Sequence, residues 1–153
     1  MAATSSQAKR RWGFGAYVAQ MWQQLGEVAP VPHRITVDGE LLETDAATVL
    51  VANCGEVIPP FLKLGADIAP DDGLLDVVVL SATGMAESMG VLWQLARGTG
   101  NGSGRIQYAR GHEVRIEATP VRPVQLDGEP TGNTPLAATV MPAAIRVLVP
   151  AGS

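Results

Sequence analysis

The seven residues Leu74-Leu75-Asp76-Val77-Val78-Val79-Leu80 constrain this chain more than any other stretch. They are far too few to cross a membrane, which takes roughly 18 or more uninterrupted apolar residues, and Asp76 interrupts even this run. A short apolar run entered from a turn, here Asp71-Asp72-Gly73, reads as a strand covered on both faces. Such a strand is central to its sheet and needs cover on either side.

The neighbouring segments predict what supplies that cover. Ile35 with Val37, the run Ala47 to Ala52, Val114 with Ile116, Val124 with Leu126, and Ile145, Val147 and Val149 before Pro150 have the character of further strands. Phe14, Val18, Met21, Trp22 and Leu25 form a helical stripe that Pro30 and Pro32 stop. Met89, Leu92 and Ala96 predict a second helix over 85–97, with Gly98 as its stop. Between Asn53 and Asp72 the prolines 59, 60 and 70, with Ile58, Phe61, Leu62 and Leu64, predict a long and partly apolar loop. The sum is a mainly β chain with two helices, an antiparallel sandwich or barrel with helical additions. At 153 residues, 46% apolar, it is long enough to bury a core as one domain over 13–150, behind a flexible basic leader at 1–12 that carries Lys9, Arg10 and Arg11.

Charge and cysteine content exclude several function classes. A formal net charge of -4 leaves no basic surface for nucleic acid. One cysteine, Cys54, allows neither an intrachain disulfide nor a cysteine-based zinc site, and is expected to be a small buried hydrophobe. No signal-peptide pattern follows the basic residues, so a cytoplasmic location is expected. The glycine-rich loop from Gly98 to Gly104 follows a helix and lacks a Lys-Ser/Thr ending, which argues against a phosphate-binding loop. His33 and His112 lack metal-ligand spacing and are expected at the surface or at strand ends, and Trp12, Trp22 and Trp93 are expected to pack helices on the sheet.

The acidic residues carry what chemistry there is. One word occurs twice, Val37-Asp38-Gly39-Glu40 and Leu126-Asp127-Gly128-Glu129, and Asp-Gly is a strong hairpin signal. Asp38 is read as a plain turn residue. If Asp127 and Glu129 instead continue a strand, their carboxylates share a face roughly 6.5–7 Å apart, where they could take a proton from a hydroxyl, orient water or hold a cation. The Asp71-Asp72-Gly73 turn could offer oxygen ligands to Mg²⁺ or Ca²⁺, or be an ordinary turn.

The order of these words carries a resemblance. Leu50-Val51-Ala52-Asn53, Pro70-Asp71-Asp72-Gly73-Leu74-Leu75-Asp76-Val77-Val78-Val79, then Tyr108 with Gly111-His112-Glu113-Val114-Arg115-Ile116, Val124-Gln125-Leu126-Asp127-Gly128-Glu129-Pro130 and Ala144-Ile145-Arg146-Val147-Leu148-Val149-Pro150 follow in sequence. This series resembles the C-terminal domain of bacterial lipid kinases of the diacylglycerol kinase and sphingosine kinase-like family, over residues 11–150. The resemblance implies the β-sandwich of the NAD kinase-like fold. It implies Asp127 as general base toward a lipid hydroxyl with Glu129 in support, and Asp72 as a Mg²⁺ ligand with the carbonyls of Ala69 and Leu74. Asn53, Ile58 and Phe61 are the expected lipid contacts.

It also implies ATP bound by an N-terminal module whose Gly-Gly-Asp-Gly loop does not occur in these residues. After Asn53, Cys54-Gly55-Glu56-Val57-Ile58-Pro59-Pro60-Phe61 stands where the family has a Gly-rich loop. The chain is therefore expected to be the substrate-side half of a lipid kinase, inactive alone. The expected partners are the ATP module and a lipid, with peripheral membrane contact and a homodimer both open. The alternative is a stand-alone lipid-binding module without catalysis, and a purely structural or oligomerisation domain comes third.

Overall fold

The computed structural model describes residues 29–58, 62–63, 68–84, 87, 90, 91, 94 and 104–148, with backbone alone at 56–58 and 62–63. Eleven strands are formed among them: β1 (Val31–Val37), β2 (Glu40–Ala46), β3 (Thr48–Ala52), β4 (Glu56–Ile58), β5 (Leu62–Lys63), β6 (Leu75–Leu80), β7 (Ile106–Gly111), β8 (Glu113–Ala118), β9 (Pro123–Leu126), β10 (Glu129–Asn133) and β11 (Leu136–Thr139). A four-stranded sheet in the order β11-β8-β1-β2 faces a three-stranded sheet in the order β3-β6-β7, and every pairing is antiparallel.

β6 is the central strand that its composition demands. Val77 and Val79 point into the gap between the sheets, where they meet Ile35 and Val37 of β1, Ala46 of β2 and Val114 and Ile116 of β8. Val78 and Leu80 point the other way, into a second cluster with Ala82, Val91 and Ile106. Gly84, Glu87, Gly90, Val91 and Gln94 are helical, so helical residues cover this second face. The helix expected over 14–25, the leader, the tryptophans and the glycine-rich loop from 98 to 103 lie outside the described residues.

Two tight links join the sheets. At one end β2 passes into β3 through Ala47, whose N–H donates to Leu80 O (2.8 Å), while Ser81 Oγ donates to Asp45 O (2.6 Å). At the other end β7 passes into β8 through Gly111 and His112. A Cβ at Gly111 would stand 2.5 Å from Val37 Cγ1 and 2.7 Å from Asp38 Oδ2, so only glycine fits there.

Four expectations fail. The segment expected as a loop after Asn53 contains the small β4–β5 hairpin, which sequence reading missed because Pro59 and Pro60 fall between its strands. No strand forms at 144–148: Ile145, Val147 and Leu148 are exposed, because no sheet edge of the described residues meets them. Cys54 is exposed, since it follows the end of β3 outside the layers. His33 is buried within β1, between Thr44 and Ala118, with its Nδ1 2.7 Å from Val31 O, because its place in the alternation points inward with Ile35 and Val37.

Candidate functional site

The turn at Asp127 is built by the backbone before any side chain matters. Asp127 and Gly128 have φ of 51° and 87°, positive at both central positions as a two-residue hairpin turn requires. They join β9 to β10, with Glu129 already paired to Leu126. Asp127 therefore does not continue a strand, and the shared strand face for Asp127 and Glu129 is not formed. β9 and β10 prolong the β8–β11 pair as a separate ribbon, rooted where Thr134 N–H donates to Arg122 O (2.8 Å) and Arg122 N–H to Thr134 Oγ1 (3.0 Å). Every residue of β10 is exposed, and so are Asp127 and Leu126.

The twin word at Asp38 shows what such a carboxylate does when it is structural. Asp38 and Gly39 have nearly the same φ values, 48° and 89°. Asp38 Oδ1 accepts from the N–H groups of Glu113 (2.8 Å) and His112 (2.9 Å), and Oδ2 lies 3.2 Å from His112 Nδ1. The Glu113 and then the His112 N–H bonds, followed by the His112 ring, hold its carboxyl below the ordinary Asp value. Asp38 is thus more than a turn residue: it ties the β1–β2 turn to the β7–β8 link. The carboxylate of Asp127 makes no hydrogen bond or ion pair to a described residue.

The Asp72 loop lies at the β7–β8 link end, since Leu75 pairs with Gly111. Asp72 is exposed, and its Oδ1 accepts from Leu74 N–H at 3.0 Å, with Gly73 at φ 77°. Ala69 and Leu74 flank it, half-buried. One carboxylate and neighbouring carbonyls make an all-oxygen donor set, which suits a hard cation that keeps several waters. Among the described residues no group of three or more His, Cys, Asp or Glu side chains could hold a metal. The Asp127 ribbon and the Asp72 loop join the sandwich at opposite ends of β8, about 20 Å apart for a six-residue strand. The sheets do not bring the two together.

Asn53 is exposed just after Ala52, whose β6 partner is Asp76. Ile58 is paired with Leu62 through the backbone, while its side chain and Phe61 lie outside the described residues. Next to Asn53 the structure forms a pair that sequence reading missed. Asp76, 5% exposed, receives Arg110 Nε on Oδ1 at 2.8 Å, and its buried Oδ2 has no hydrogen-bond partner among the described residues. The available signal was a lone acid inside an apolar strand, which is tolerated only when paired. Tyr108, opposite Val78, has its phenol pushed up by burial.

Residues 1–149 match the family model described as the YegS C-terminal NAD kinase beta sandwich-like domain. The chain is 33% identical over 155 residues to a Pseudomonas aeruginosa protein named "Probable lipid kinase YegS-like", covering 98% of this chain and 49% of that one. It is 28% identical over 130 residues to the diacylglycerol kinase of Bacillus subtilis, covering 85% and 43%. A solved diacylglycerol kinase from Bacillus anthracis superposes with a TM-score of 0.63 at 27% identity, over 84% of this chain and 43% of that one. The chain thus spans less than half the length of these relatives. With its antiparallel sandwich and its motifs in family order, it belongs to the YegS C-terminal β-sandwich domain family of the diacylglycerol kinase and YegS-like lipid kinases.

Proposed function

We propose that this chain is the substrate-side domain of an ATP-dependent lipid kinase, and that Asp127 is the general base toward the lipid hydroxyl. The observation that carries the reading is the contrast between the two Asp-Gly turns: the Asp38 carboxylate is occupied by backbone N–H groups, whereas the Asp127 carboxylate is exposed at a ribbon tip and engages no described residue. Membership in the lipid kinase family supplies the reaction class.

In that reaction the hydroxyl oxygen of a diacylglycerol or similar lipid attacks the γ-phosphorus of ATP. The bond to the β,γ-bridging oxygen breaks, ADP leaves, and the hydroxyl proton passes to Asp127. Phosphoryl transfer through a loose transition state depends mostly on positioning and charge neutralisation. A carboxylate can serve here, because it holds the hydroxyl in line and takes the proton late. Glu129, first residue of β10, supports Asp127 with a second negative charge. Asp72 and the carbonyls of Ala69 and Leu74 would hold Mg²⁺, which supplies positive charge that orders the loop at the far end of the sandwich. Asn53, Ile58 and Phe61 would contribute the lipid contacts that the family resemblance implies. ATP is bound by a separate module, in the part of the relatives that this chain does not span.

The test is transfer of labelled phosphate from ATP to vesicles of diacylglycerol, monoacylglycerol, sphingosine or phosphatidylglycerol, with the chain alone and with an added ATP module. Activity only in the combined sample, lost in Asp127→Asn, is the expected result. Silence in both samples, with the chain folded, would overturn the kinase reading in favour of a lipid-binding module without catalysis.

A further inference from the structure

The pair Asp-Gly occurs three times in the chain, at 38–39, 72–73 and 127–128. Such a pair can close on itself, because the main-chain nitrogen after the aspartate reaches its carboxyl carbon and glycine puts no side chain in the way. A Cβ at Gly39 or at Gly128 would meet nothing within 4 Å, and the two turns share nearly the same φ values. Their nitrogens are equally open. The carboxyls are not.

Asp38 is held in place by bonds that ring closure must break. Its Oδ1 accepts from Glu113 N–H (2.8 Å) and His112 N–H (2.9 Å), and Oδ2 lies 3.0 Å from the same His112 nitrogen. These bonds, the Glu113 N–H first, also hold the Asp38 carboxyl below the ordinary value, so the protonated form that can lose water is rarer there. Asp72 has one such bond, from Leu74 N–H at 3.0 Å, and Pro142 crowds Gly73 at 3.6 Å from where a Cβ would stand. The Asp127 carboxylate is exposed and engages no described residue.

The strands beneath the turns point the same way. The Asp38 turn joins β1 and β2 in a four-stranded sheet whose β1 is paired on both sides, whereas the Asp127 turn caps a two-stranded ribbon whose register shifts between Pro130 and Gly132. A two-stranded ribbon is marginal by itself, so its tip opens at little cost and the backbone can leave the turn angles to form a ring.

We propose that Asp127-Gly128 is a site of spontaneous isoaspartate formation, from which the Asp38 and Asp72 pairs are protected by their hydrogen bonds. The Gly128 nitrogen attacks Cγ of the protonated Asp127 carboxyl. An N–Cγ bond forms, a Cγ–O bond breaks, and the carboxyl OH leaves as water with the amide proton. Water then adds at the main-chain carbonyl carbon of Asp127 and breaks its bond to the Gly128 nitrogen, which takes a proton. The chain now runs through Cβ and Cγ, and the carboxylate sits directly on Cα. A displaced carboxylate no longer reaches the hydroxyl it would serve, so the change should silence the kinase. That loss of activity rests on the lipid kinase reading, whereas the modification does not.

The test is peptide mapping with electron-transfer fragmentation after the full chain is aged at neutral pH in metal-free buffer, folded and again in concentrated guanidinium chloride. Each hydrogen bond to a carboxylate that must break slows ring closure about ten-fold or more, so folded Asp127 should isomerise at least about ten-fold faster than Asp38, with Asp72 between them. In denaturant the gap between Asp127 and Asp38 should close. Equal rates at Asp38 and Asp127 in the folded chain, isoaspartate at Asp127 only after unfolding, or a gap that persists in denaturant would each overturn the proposal. With the ATP module added, phosphate transfer should fall in proportion to isoaspartate at Asp127. Full activity in a chain isomerised there would sink Asp127 as the general base and leave the modification site standing.

Discussion

Asp38 and Asp127 occupy the same position of the same turn, and their surroundings separate their roles. Asp38 lends both oxygens to the 111–113 link, and the lowered carboxyl that results makes stability depend on pH. Its contribution is fully present above the ordinary Asp value of 3.8 and is lost as pH falls through the lowered folded value, because the unfolded chain binds the proton more readily. Chemical denaturation between pH 5 and roughly pH 2 should show this slope for the native chain and a flatter one for Asp38→Asn, which keeps an acceptor but cannot titrate. Asp127→Asn should leave the denaturation midpoint unchanged, since its carboxylate binds no described residue of the domain. In the reconstituted kinase it should lower kcat by about 10²–10⁴, the range for removal of a general base. An Asp127→Asn variant that shifted stability but not turnover would reverse the assignment of the two residues.

At the scale of elements, the link between β7 and β8 is the tightest joint. Gly111→Ala should destabilise the domain by about 1–3 kcal/mol, read from the denaturation midpoint, because its methyl group would collide with Val37 and Asp38. Strands with strong apolar alternation were legible from the residues, among them β1, β6 and β8. β2, β7 and β11 were not. Glu40-Leu41-Leu42-Glu43-Thr44-Asp45-Ala46 is an acidic edge strand, and Ile106-Gln107-Tyr108-Ala109-Arg110-Gly111 lays polar and small residues on a surface that only its neighbours define. Pairing supplied what local pattern lacked, since β7 gains its place from the register of Tyr108 on Val78. The reverse case is Ile145 to Leu148, where strand alternation is present and no described strand pairs with it. For the site, the Asp-Gly turns were legible as words. That one carboxylate is clamped and the other unengaged was not, because both words demand the same φ angles.

At the scale of the whole molecule, two sheets and helical residues form three layers around β6, with the larger of the two described core clusters between the sheets. Ile35 is fully buried there, so Ile35→Ala should cost about 2–5 kcal/mol, again measured by denaturation. Among the described residues no helix is long and apolar enough to cross a membrane. The order β11-β8-β1-β2 also governs the timing of folding. His33 pairs with Ala118, so β1 waits, with β2 at its side, until β8 has left the ribosome. Closing so long a loop is slow compared with forming the β1–β2 hairpin, and meanwhile Ile35 and Val37 remain uncovered. The nascent chain thus carries an open sheet edge from the completion of β2 until β8 emerges, and the acidic residues of β2 keep the hairpin's other edge from pairing with a neighbouring chain.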